Sequence, residues 1–137
     1  MARATLSSPR PGPRLPRVLA TPAALDAIAR LTRTLGPVLF FQSGGCCDGS
    51  LPICLREGEL LLGDRDLLLG WVGGSPFYID HRQFEPWKTS QLTLDVAEGD
   101  PEGFSLGAGP GLHFVTRSRI CSAETLTPPE VSRVRSN

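Results

Sequence analysis

The chain has 137 residues, 40% of them hydrophobic and 20% charged, with 14 basic side chains balanced by 14 acidic ones. That length supports one core burying about two thirds of the surface of the unfolded chain, which excludes a two-domain enzyme with its own dinucleotide fold. A net charge of zero removes the long-range attraction used by nucleic-acid and anionic-membrane binders, and no run approaches the roughly 20 apolar residues of a membrane span. Neither nucleic acid nor membrane is expected as a partner.

Residues 1–20 carry Pro9, Pro11, Pro13 and Pro16 with Arg3, Arg10, Arg14 and Arg17, and no acid precedes Asp26. Such a segment buries too little apolar surface to offset its ordering entropy, so a disordered tail is expected. No apolar core of about 7 to 15 residues marks a secretory signal, and the prolines oppose an amphipathic transit helix, which leaves a cytoplasmic location as the expectation.

A single domain is expected over residues 21–127. Thr21 before Pro22 is a helix start, because the threonine oxygen caps an orphan amide and proline at the first helical position lacks one. Leu25, Ile28, Leu31 and Leu35 fall on one face, and Gly36-Pro37 ends the helix. Short strands are expected at residues 38–42, 59–62, 67–72, 77–79, 91–96, 103–106 and 112–116, divided by Gly, Asp and Pro. Between the fourth and fifth, Asp80 caps a short helix over residues 81–87 that Pro86 limits to about two turns. One good helix and many short strands give an α+β, mostly β class: a small sandwich or rolled sheet with the helix packed on one face. Residues 128–137, with Pro128, Pro129, Arg133 and Arg135, are expected to form a second disordered tail.

Chemistry concentrates in Gln42-Ser43-Gly44-Gly45-Cys46-Cys47-Asp48-Gly49-Ser50-Leu51-Pro52-Ile53-Cys54, directly after the most apolar strand. Gly44, Gly45 and Gly49 let main-chain amides approach a ligand, and such amides stabilise thiolates, the nucleophilic and metal-ligating form. A soft metal ion or an iron–sulfur cluster suits these donors. Cys46, Cys47 and Cys54 are the candidate ligands, with Cys121 as a fourth and Asp48 as a turn residue or an orienting group. The spacing matches no standard zinc knuckle, where cysteines stand about two to four residues apart. Adjacent α-carbons sit about 3.8 Å apart, below the common disulfide range of about 4.4 to 6.8 Å, so a Cys46–Cys47 bond is strained and easily reduced. Free cysteine also serves as a small buried hydrophobe, and for Cys54 and Cys121 that role competes with ligation.

His113 falls in a strand as a sheet residue, and His81 in the first turn of the short helix. Gly107-Ala108-Gly109-Pro110-Gly111 lacks the spacing and following helix of a phosphate loop and reads as a turn. Phe77, Tyr78, Phe84 and Trp87 read as core, with Trp87 a candidate interface anchor.

The run Gly36-Pro37-Val38-Leu39-Phe40-Phe41-Gln42-Ser43-Gly44-Gly45-Cys46-Cys47-Asp48-Gly49-Ser50 resembles the bacterial family known as domain of unknown function 779. So do Leu69-Gly70, Pro76-Phe77-Tyr78-Ile79, Gln91-Leu92-Thr93-Leu94-Asp95-Val96, Gly103-Phe104-Ser105-Leu106 and Thr116-Arg117-Ser118-Arg119. That resemblance implies an accessory role beside an aldehyde dehydrogenase. Gly44-Gly45-Cys46-Cys47-Asp48-Gly49 is more distantly similar to the Gly-Gly-Cys-Ser-Gly of HesB-like A-type iron–sulfur carriers, which implies a HesB-like sandwich with Cys46 as first cluster ligand. Those carriers end in Cys-Gly-Cys, where this chain has Cys121 alone.

Three readings follow, in this order. The first is a non-enzymatic accessory protein binding a soft metal or iron–sulfur unit, with a homodimer supplying shared ligands. The second is a thiol redox protein using Cys46 and Cys47. The third is a structural binding module for an aldehyde dehydrogenase.

Overall fold

The computed structural model describes residues 14–42, 52–58, 66–101 and 105–131. Over the described residues the architecture is α+β and mostly β, with two small open sheets and one α-helix. In chain order the elements are β1 (Val18–Ala20), α1 (Pro22–Leu35), β2 (Val38–Gln42), β3 (Pro52–Arg56), β4 (Asp66–Val72), β5 (Ser75–Asp80), β6 (Ser90–Glu98), β7 (Leu112–Ile120) and β8 (Glu130–Val131). The first sheet has the order β1-β6-β7, and the second β3-β2-β5-β4-β8.

Thr21 starts α1 as anticipated: its Oγ1 accepts from the Ala24 N–H at 3.1 Å and donates to Asp95 Oδ1 at 2.8 Å, tying the helix start to β6. At the other end Gly36, with φ of 91°, returns its N–H to the Thr32 carbonyl at 2.9 Å. The buried stripe is Ala24, Ala27 and Ile28, with Leu31 half-buried, while Leu25 and Leu35 are exposed. The apolar face is therefore rotated from the Leu25-Ile28-Leu31-Leu35 line toward the alanines. Their small side chains let the helix backbone approach the sheets closely.

Between β4 and β5, Gly73 and Gly74 have φ of 58° and 84°, as a two-residue hairpin turn with both central residues left-handed requires. A side chain at Gly73 would come within 3.3 Å of Leu25 and Ile28, so this turn also seats the helix. β5 returns beside β2 in parallel, pairing Phe40 with Phe77 and Gln42 with Ile79. Phe40 stacks on Phe77 at 5.9 Å and meets Phe114 of the first sheet edge-on at 4.9 Å. These three rings join the two sheets through one shared core.

The strands at 38–42, 67–72, 77–79, 91–96 and 112–116 are present, most of them one to four residues longer than anticipated. The expected strand 59–62 lies outside the described residues, as do residues 103 and 104 of the expected strand 103–106. Leu106 donates its N–H to the Cys54 carbonyl at 2.8 Å without joining a strand. The short helix at 81–87 divides into two 3-10 turns, His81–Gln83 and Glu85–Trp87, meeting at Phe84 just before Pro86. Trp87 is buried in the core, so it offers no surface anchor.

Both tail boundaries need correction. Residues 14–20 form β1 and its approach, with β1 parallel to β6 from Val18–Leu92 to Ala20–Leu94. Arg17 is buried: its Nε donates to the Thr127 carbonyl at 2.6 Å, Nη1 donates to the Lys88 carbonyl at 3.0 Å, and its guanidinium lies 4.9 Å from the Phe84 ring centre. Carbonyls and an aromatic face satisfy the cation that composition alone assigns to solvent. At the other end Glu130–Val131 pairs with Leu67–Leu68, while Leu15 and Leu126 bridge the two terminal segments. Residues 1–13 and 132–137 lie outside the described residues.

Candidate functional site

The cysteine loop joins β2 to β3. Gly44, Gly45, Cys46, Cys47, Asp48 and Gly49 lie outside the described residues, whereas both of its anchors are described. β2 and β3 are antiparallel, with Val38 opposite Arg56, Phe40 opposite Cys54 and Gln42 opposite Pro52. Pro52 stands at the first position of its strand, where a missing N–H is tolerated.

Gln42 closes the apolar run Val-Leu-Phe-Phe and is fully buried. A carboxamide there must be hydrogen-bonded, and its Oε1 accepts from Thr116 Oγ1 of β7 at 3.2 Å. This bond crosses between the sheets at the root of the loop. Both residues were legible only as strand members, although a glutamine ending a strongly apolar strand is the signal that marks such a contact.

Because Gln42 and Ile79 are in register on parallel strands, β2 and β5 finish side by side, and Asp80-His81-Arg82 stands next to the departure of the loop. Asp80 accepts from the Arg82 side chain at 3.1 and 2.9 Å and from the Arg82 N–H at 2.8 Å. Those Arg82 hydrogen bonds hold its carboxyl down at about 2. His81 Nδ1 lies 3.9 Å from the same carboxylate. A permanently ionised carboxylate with a guanidinium locked on it works as a fixed dipole at the rim, not as a proton-transfer group.

Cys54 and Cys121 are both free thiols, and they occupy different places. Cys54 has 0% exposure among core residues, its N–H bonded to Ser105 Oγ at 2.9 Å, and burial pushes its thiol up to about 12. Ligation by Cys54 would require a thiolate inside the hydrophobic core. In this arrangement it acts as a small apolar side chain. Cys121 is half-buried just after β7, with its N–H bonded to the Thr89 carbonyl at 2.7 Å. Among the described residues no three His, Cys, Asp or Glu side chains stand together as a metal group.

His113 keeps its place in the sheet, with Nδ1 3.1 Å from the Gly99 carbonyl. Gly107–Gly111 is a turn closed by the Gly109–Leu112 bridge. Among the described residues no helix is long and apolar enough to cross a membrane.

No curated protein and no solved structure matches the chain. The family model described as domain of unknown function (DUF779) matches residues 27–120, a stretch that takes in most of α1, strands β2 to β7 and the whole cysteine loop. With more than two thirds of its length so matched, the chain belongs to the DUF779 family.

Proposed function

We propose that this protein is a small accessory protein whose Gly-Gly-Cys-Cys loop binds a soft metal ion or iron–sulfur unit through Cys46 and Cys47. Cys121 is the third thiol, and a homodimer doubles the donor set. The observation that carries this reading is the contrast among the thiols: Cys54 is held neutral in the core, whereas the adjacent pair stands among three glycines on a strand connection. The root of that connection is fixed by the Gln42–Thr116 bond. Thiolates stabilised by main-chain amides are soft donors, and glycine permits the amides to come close. Similarity of the loop to HesB-like A-type carriers supports an iron–sulfur unit. Free thiols at Cys54 and Cys121 suit a reducing, cytoplasmic compartment. The partner proposed on the family resemblance is an aldehyde dehydrogenase.

Anaerobic isolation followed by metal analysis and a visible spectrum tests this. Metal is expected in the unaltered protein and in Cys54→Val, and is expected to be lost in Cys46→Ser and Cys47→Ser. Colourless, metal-free protein that also fails reconstitution rejects the reading. In that case a depressed thiol pKa at Cys46 or Cys47 would favour a redox thiol instead.

A further inference from the structure

A groove of about 410 Å³ runs along the last two turns of α1, between the helix and the Gly107–Gly109 turn. It is remote in sequence from the cysteine loop and shares none of its residues. Its volume lies in the range of about 300 to 1,000 Å³ typical of small-molecule sites. Ala27 and Ala108, both buried, belong to its lining, and Leu31 and Leu35 line it on the helix side. This is the face that carries Leu35 to the surface, an apolar side chain with no role in the core.

Among the described residues Arg30 is the one charged side chain lining the groove. Its Nη2 donates to the Ala108 carbonyl at 3.3 Å, which draws the guanidinium across toward the turn. Its contact with Asp26, at 3.7 Å with half of the arginine side chain and most of the aspartate exposed, is a weak solvent-screened pair. A guanidinium has five N–H donors in a planar fork, so donors remain for a carboxylate. Gly109 keeps the space beside it open: a β-carbon there would lie 3.7 Å from Arg30 Nη2 and 3.4 Å from Leu112 Cδ1. Leu35 stands five positions after Arg30, about 8 Å along the helix axis, enough for a short aliphatic chain.

We infer that this groove binds a short-chain aliphatic monocarboxylate, its carboxylate on Arg30 and its chain lying along Leu31 and Leu35 beside Ala108. An apolar wall alone would take any oily molecule. The single cation beside it selects the anion.

The test is an amide NMR titration of the full chain with hexanoate, 1-hexanol and hexylammonium as probes. Hexanoate is expected to give saturable shifts at residues 27–35 and 107–109, with 1-hexanol weaker and hexylammonium without effect. Arg30→Gln, a change at an exposed side chain, should weaken hexanoate about tenfold or more while leaving 1-hexanol unchanged. That split separates charge recognition from a structural role of Arg30. Absence of saturable shifts at these amides, equal binding of the alcohol or the amine, or unaltered hexanoate binding in Arg30→Gln would each overturn the inference. So would saturation of the same amides by a peptide with an apolar C-terminal residue where hexanoate has no effect.

Discussion

Thr116 Oγ1 donates to Gln42 Oε1 across the two sheets, and both residues are buried. The bond lies one residue before the cysteine loop begins, so it couples sheet packing to the position from which the loop departs. Thr116→Val removes this donor while keeping the shape, and deletes one hydrogen bond of a buried carboxamide. A loss of about 1 to 3 kcal/mol is expected from urea unfolding. Gln42→Leu should cost a similar amount, and the double variant should cost less than the two added together, because both changes delete the same hydrogen bond. Additive losses would show that the contact carries no coupling.

Cys54 has a pH signature of its own. Its thiol is neutral in the folded protein up to about 12, whereas the ordinary value is 9.0. Below the ordinary value both states hold the proton and the contribution to stability is fully present. Between about 9 and about 12 the unfolded chain binds fewer protons than the folded one, so stability falls as pH rises, by up to about 1.4 kcal/mol per pH unit. Denaturant titrations from pH 8 to pH 11 should show this slope in the unaltered protein and a flatter one in Cys54→Val. A thiol reagent at pH 8 should leave Cys54 unmodified until the chain unfolds; rapid native labelling would contradict its burial.

The frame of the site was legible and its closure was not. Thr21-Pro22 and Gly36-Pro37 define α1 to the residue, and Val38–Gln42 likewise matches, because capping and turn chemistry are local. β3 has no strand signature of its own: Pro52-Ile53-Cys54-Leu55-Arg56 opens on a proline and offers three apolar residues, and only pairing with β2 makes it a strand. β1 and β8 are three and two residues long, and neither has a pattern of its own. The candidate thiols stood out by composition, yet nothing in the order of residues distinguishes the core-facing Cys54 from its neighbours in the loop. That distinction comes from its register opposite Phe40.

The rotated face of α1 gives a paired prediction. Leu25 and Leu35 are exposed, so Leu25→Gln or Leu35→Gln should change stability by no more than about 0.5 kcal/mol. Ala24 and Ala27 are fully buried, and Ala27→Leu forces extra volume between helix and sheets at a cost of about 1 to 3 kcal/mol. Thermal melts of the variants decide the matter. A large loss in Leu25→Gln with a neutral Ala27→Leu would restore the leucine stripe as the buried face.

Arg17 ties three separate parts of the chain. Its donors reach Thr127 and Lys88, and its guanidinium lies over Phe84, while Leu15, two residues earlier, bonds through its backbone to Thr125 and Thr127. Burial lowers its pKa, but an arginine stays charged throughout the physiological range, so the pull comes from charge-assisted bonds to carbonyls. Arg17→Met keeps most of the apolar stem and removes both bonds, at an expected cost of about 2 to 3 kcal/mol. The loss should be local before it is global: the amides of Leu15 and Thr127 should exchange hydrogen faster, while those of β2 and β5 keep their protection. Arg17→Lys should recover only part of the loss, since one ammonium cannot reproduce the two-donor geometry and stacks less well on Phe84. Uniform acceleration across both sheets would mean that Arg17 supports the whole core, and unchanged exchange at Leu15 and Thr127 would mean that the terminal segments are held by their backbone pairing alone.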